Sequence, residues 1–208
     1  MSTSRTIFAT SAALLAALAL SACGTTPIES SPDSATPEPT TSEEASDFNR
    51  TDVMYAEMMI PHHEQAIEMS DIIIDTEGVS TETVALAEQI KAAQGPEIEQ
   101  LDELLESWGF DSMAGRDVDG MGNMDGMGGM GMNGMMSEED MEALEDASGA
   151  DAERLFLESM IEHHEGAVDM SEPVLTDGQS PELIELAGEI IDAQLVEIET
   201  MKDLLTRL

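Results

Sequence analysis

All four histidines of the 208-residue chain fall in two adjacent pairs, His62-His63 and His163-His164. Methionine flanks both at the same spacing: Met59 and Met69 around the first pair, Met160 and Met170 around the second. On a helix Met59 lies one turn from both His62 and His63, and His62 reaches Met69 after two turns, so one face carries thioether, imidazole and thioether in sequence. Thioether is a soft donor and imidazole an intermediate one. The combination suits copper, Cu(I) above all, with Cu(II) and Ag(I) as further candidates, more than it suits iron, magnesium or calcium. Imidazole binds only when neutral, so Glu64 or Glu165, each next to a pair, is expected to orient a ring or take up its proton, and affinity is expected to fall in acid. A methionine stripe is ordinarily core filler and a lone buried histidine ordinarily a packing residue. Duplicated pairs that account for every histidine argue instead for a ligand set.

An internal repeat positions these residues. Shifted by 101, the segment from Met54 to Ser70 overlies Leu155 to Ser171, with Glu57, Met59, Ile60, His62, His63, Glu64, Ala66, Met69 and Ser70 all matched by identical residues. A shift of 100 then overlies Leu86-Ala87, Ile90, Ala93-Gln94, Glu97-Ile98-Glu99 and Leu104-Leu105 on Leu186-Ala187, Ile190, Ala193-Gln194, Glu197-Ile198-Glu199 and Leu204-Leu205. The unit is two elements and a loop, used twice. Tyr55, Met59, His62, Ala66, Met69 and Ile73 alternate steps of three and four, as do Phe156, Met160, His163, Ala167, Met170 and Val174, which is helical spacing. With Ser80 and Ser180-Pro181 as helix starts, the pattern predicts main helices at about 49–75, 81–107, 150–175 and 181–207. Pro61 and Gly95-Pro96 are misfits, where a kink or a restart is expected. Two like helix pairs fold most simply as an all-α, antiparallel four-helix bundle with a pseudo-two-fold axis. If that axis brings the histidine helices together, the ligand faces converge.

The rest of the chain divides by composition. Residues 1–22 read as a signal peptide, with Arg5 ahead of a short apolar run, and Leu20-Ser21-Ala22-Cys23 resembles a lipobox whose Cys23 is lipidated. Residues 23–46, rich in Pro, Ser, Thr and Glu, are expected to form a disordered tether. The four-helix domain then spans 47–208, with repeat one at 47–110, a Met/Gly-rich loop at 111–136 and repeat two at 137–208. Ser137 with Asp140 is expected to start a short additional helix. Glycine keeps the loop from building a core, so Met121, Met124, Met127, Met130, Met132, Met135 and Met136 are candidates for a second copper site, against low-complexity drift or a sacrificial oxidant trap.

Charge narrows the partners. With 45 acidic against 7 basic residues, and a formal charge of −38, no basic face for nucleic acid can be assembled. Cations would instead be concentrated near the protein. One cysteine excludes an internal disulfide and any multi-cysteine metal site.

The run Met58-Met59-Ile60-Pro61-His62-His63-Glu64-Gln65-Ala66-Ile67-Glu68-Met69-Ser70, with its second copy Met160 to Met170, resembles the motifs of the domain of unknown function 305 family, over roughly residues 47–208. That resemblance implies a ferritin-like four-helix bundle, and its secreted CopM-like members imply copper binding and copper resistance. It also implies metal roles for His62, His63, His163 and His164, with Met59, Met69, Met160 and Met170 beside them. Glu162 stands where the first copy has Pro61, so the half-sites are not equivalent.

The first expectation is therefore a membrane-tethered lipoprotein outside the cytoplasm that sequesters or hands over copper, without catalysis. A copper-transfer protein is a compatible partner, and self-association is left open. One alternative is a ferritin-like metal-dependent oxidase, disfavoured because Met59, Ile60, Met160 and Ile161 stand where Glu-x-x-His would need carboxylates. The other is an envelope interaction module without metal, whose function would survive loss of all four histidines.

Overall fold

The computed structural model describes residues 47–111 and 133–208, and among them the regular structure is entirely helical. The signal segment, Cys23, the tether, and Met121, Met124, Met127, Met130 and Met132 lie outside the described residues. Five helices follow in order: α1 (Arg50–Asp75), α2 (Thr81–Ser107), α3 (Glu138–Asp146), α4 (Gly149–Asp177) and α5 (Pro181–Leu205). α1 and α2 form one hairpin and α4 and α5 the other, and the hairpins join mainly through α1 against α4. No described helix is long and apolar enough to cross a membrane.

Local chemistry sets the helix starts. Asn49 caps α1 in a reciprocal box with Asp52, and Ser137 caps α3 in the same way with Asp140. Ser80 and Ser180 accept the backbone N–H groups of Thr83 and Leu183 at the heads of α2 and α5, and Pro181 opens α5, where a missing N–H costs nothing. The restart expected at the prolines does not occur. α1 runs unbroken through Pro61 and α2 through Pro96. In both helices the buried stripe continues on either side of the proline, and tertiary burial offsets the one lost backbone bond.

The interior is two apolar clusters. One gathers Tyr55, Met59, Leu101, Leu105, Met170 and Ile190, and the other Met69, Ile90, Phe156, Met160, Ile198 and Met201. The buried histidines belong to neither. In α1 they stand between Met59 and Met69, and in α4 between Met160 and Met170, so the imidazoles form a polar layer between two apolar halves. α3 closes one half by burying Leu144 completely.

The repeats are also latched to each other. Asp52, fully buried, accepts the backbone N–H groups of Gln179 at 3.1 Å and Ser180 at 3.2 Å, at the start of α5. Its repeat equivalent Glu153 accepts the Ser80 N–H at 3.2 Å and the Thr83 hydroxyl at 2.6 Å, at the start of α2. Each first helix thus caps the second helix of the other repeat. Burial pushes the Glu153 carboxyl up, but the Ser80 and Thr83 hydrogen bonds outweigh it and hold the group below its ordinary 4.5. Its contribution is therefore present above that value and lost as pH falls through the lowered one. Asp52→Ala and Glu153→Ala are each expected to cost about 2–3 kcal/mol, since charge-assisted acceptors are lost and donors left bare. With the two latches at separate turns and no shared partner, the losses should add. Urea unfolding of the single and double variants checks both statements.

Candidate metal centre

Consecutive helix positions point about 100° apart, so each histidine pair faces two neighbours at once. His62 turns toward α4, where its ring lies against His163 with centroids 3.7 Å apart and planes 38° apart. His63 turns toward α2, where its Nε2 lies 2.9 Å from Glu97 Oε2 without the N–H aligned for a hydrogen bond. The second repeat mirrors this: His164 Nε2 is hydrogen-bonded to Glu197 Oε2 on α5 at 2.8 Å. The first histidines of the two copies therefore meet across the pseudo-two-fold, and the second histidines each take a carboxylate from their own hairpin. All four are 0 or 1% exposed.

Gln94 and Gln194 stand one turn before Glu97 and Glu197 and are also buried. Neither amide has a hydrogen-bond partner on nitrogen or oxygen. Nor does either nitrogen of His163, or Nδ1 of His62, His63 and His164. Among the described residues, every buried side-chain N or O atom without a hydrogen bond belongs to these four histidines and two glutamines. Burial, with the nearby His63 ring, pushes His62 down to about 3, although the Asn133 carbonyl draws it up. Burial and the surrounding imidazoles His62, His164 and His63 hold His163 well below its ordinary 6.5. Both rings are thus neutral, the form that can donate a lone pair.

The donor set of neutral imidazole nitrogens with carboxylates behind two of the rings fits a borderline to soft cation. It is not a finished cage: among the described residues no three His, Cys, Asp or Glu side chains are arranged to hold an ion. The thioethers flank the imidazoles on both sides, Met59 and Met170 in one apolar cluster and Met69 and Met160 in the other. Met135 and Met136 lie half-buried in the described end of the loop, with Met136 packed against the second apolar cluster. Glu165 is exposed near Lys202, with 3.5 Å between the charged atoms, and Glu64 is half-buried. Carboxylates that the sequence reading did not single out, Glu97 and Glu197, lie against the imidazole nitrogens of His63 and His164. A signal for them existed: Gln94 and Glu97 interrupt an otherwise apolar stripe, and the repeat preserves both as Gln194 and Glu197.

Fold and centre together define a duplicated four-helix bundle with a buried imidazole layer. The chain belongs to the family described as domain of unknown function DUF305, which it matches over residues 52–205. A DUF305 fragment from Deinococcus radiodurans is similar in structure, with 30% identity and a TM-score of 0.66 over 77% of this chain and 99% of that one. CopM in its Cu(I)-bound form is 27% identical with a TM-score of 0.60, covering 76% of this chain and 98% of its own. CopM in its Cu(II)-bound form is 31% identical with a TM-score of 0.60, covering 75% and 96%. No curated protein matches the chain by sequence.

Proposed function

We propose that the protein binds copper, Cu(I) in preference, at the imidazole layer, and sequesters or transfers it outside the cytoplasm while anchored through a lipidated Cys23. The observation that carries this reading is the concentration of unpartnered buried polar atoms in six residues of one layer. Leaving a buried polar group unpaired costs about 1–3 kcal/mol, and a layer that served packing alone would have no reason to hold ten such atoms. A bound cation would use the imidazole lone pairs. CopM, similar in fold and described in copper- and silver-bound forms, lends support from outside the chain.

The residues divide the work by chemistry. His62, His63, His163 and His164 supply nitrogen donors, and Glu97 and Glu197 orient rings and balance charge. Met59, Met69, Met160 and Met170 give the layer soft surroundings on both sides. The loop methionines Met121, Met124, Met127, Met130, Met132, Met135 and Met136 provide a separate capture segment. The charge of −38 raises the local cation concentration. Binding and release need no catalytic group.

Anaerobic Cu(I) titration of the mature chain against a competing chelator tests the proposal. Changing all four histidines to Leu, with folding checked by circular dichroism, is expected to weaken the tightest site by a factor of about 100 or more, in line with the loss of several metal ligands. Changing the seven loop methionines to Leu should remove additional, weaker equivalents and leave the tightest site in place. Equal affinity in the wild type and a folded histidine-free variant would overturn the reading.

A further inference from the structure

Residues Asn133 to Met136 run across α1 and α4 at the level of the imidazoles and are fastened at both ends. The Asn133 side-chain amide donates to Asp169 Oδ2 at 3.0 Å, and its backbone oxygen lies 3.2 Å from His62 Nε2. Met136 N–H donates to Gln65 Oε1 at 2.8 Å, and Gln65 Nε2 returns a bond to the Met136 oxygen at 3.0 Å. Between them Gly134 has φ +85°, and a Cβ there would stand 2.3 Å from the Glu162 oxygen. Gly166, on α4, leaves room for the crossing: a Cβ on it would stand 1.9 Å from the Asn133 oxygen.

The repeat makes this pairing informative. Gln65 and Gly166 occupy equivalent positions, 101 residues apart. One copy uses its side chain to grip the crossing segment, and the other has given its side chain up to admit the same segment. One mismatch between the copies thus serves a single contact from both sides, which favours a purpose for the crossing over incidental packing. The contact also has a chemical result. A neutral His62 that donates Nε2–H to the Asn133 carbonyl has its lone pair on Nδ1, one of the unpartnered atoms of the layer.

We infer that Asn133–Met136 is a strap that seals the His62 and His163 edge of the layer, with Asn133 as the positioning residue that selects the Nδ1 donor of His62. Access to these rings requires the strap to lift. Only the nature of the cargo rests on the copper reading; the seal is a property of the chain itself.

The test is the rate at which diethyl pyrocarbonate modifies each histidine in the metal-free mature protein, located by mass spectrometry. Gly166→Ala displaces the strap from one side, and Gln65→Leu releases it from the other. Both are expected to speed modification of His62 and His163 by about tenfold or more, because local opening becomes cheaper, with helix content unchanged. A nitrogen-15 spectrum of labelled histidine should show His62 as the Nε2–H tautomer in the wild type and a mixture in Gln65→Leu. If Gly166→Ala fails to fold, Gln65→Leu, at a half-buried surface position, decides alone. Wild-type rates and tautomer in folded Gln65→Leu would overturn the strap even if Cu(I) binds. Faster modification without any Cu(I) binding would keep the strap and sink the copper reading.

Discussion

The metal-free protein is expected to lose about 3 kcal/mol of stability between pH 6.5 and pH 5, from two histidines alone. His62 is held at about 3 in the folded chain against an ordinary 6.5, chiefly by burial, and His163 is held well below 6.5 for the same cause. Once unfolded, both rings take up a proton near 6.5. Between that value and about 3 the unfolded chain therefore carries protons that the folded chain refuses, and stability falls as pH falls. Each such group contributes about 0.7 kcal/mol per pH unit at 6.5, rising to about 1.4 kcal/mol per pH unit well below it, against a total for ordinary domains of about 5–15 kcal/mol. Glu97 and Glu197, the carboxylates that lie against imidazole nitrogens among the described residues, face His63 and His164 rather than the His62–His163 pair. Relief of carboxylate repulsion acts in the opposite sense, but mainly below pH 5, where the acids begin to titrate. Urea unfolding at pH 7.5, 6 and 5 reads the slope. A variant carrying His62→Leu and His163→Leu should lose most of it, and a flat profile in the wild type would refute the expectation. On the proposed copper reading, a proton would not compete for His62 in the folded chain above pH 4, so acid would release the ion through opening of the bundle.

What the sequence made legible follows from what repeats and periodicity encode. Steps of three and four from Tyr55 to Ile73, copied from Phe156 to Val174, specify helices and their buried faces, and the caps at Ser80, Ser137 and Ser180 mark where helices begin. Duplication implied an axis, and the axis brings His62 against His163. Glu97 and Glu197 were harder to pick out because 25% of the chain is charged, and one glutamate on a helix resembles the rest until its partner is known. Glu165 drew notice through adjacency along the chain; a helix turns its next residue about 100° away, and Glu165 faces Lys202. A restart at Pro61 was avoided for a related reason, since the penalty there is local while the burial that overrides it is tertiary. No spacing rule announced the crossing at Gly166; only the failure of the repeat there, Gln65 against Gly166, carried the information.

Replacing the polar layer by apolar side chains of similar size should stabilise the metal-free protein, the reverse of the usual outcome for a buried substitution. Gln94 and Gln194 each bury an amide with no partner on either end, at about 1–3 kcal/mol apiece. Methionine occupies nearly the same volume, and such swaps cost less than about 1.5 kcal/mol. Gln94→Met and Gln194→Met are each expected to raise stability by about 1 kcal/mol, and His163→Leu by about 2 kcal/mol, because both of its ring nitrogens are unpaired. Thermal unfolding of the triple variant should then rise by roughly 8–16 °C for a domain of this size, while Cu(I) affinity falls through the loss of His163. The two readouts moving in opposite directions would identify the layer as a site kept at the expense of stability. If the variants instead melt lower, by the amount an ordinary core defect costs, the amides and imidazoles hold each other up through ordered water, and the layer is a structural plug for which copper is not required.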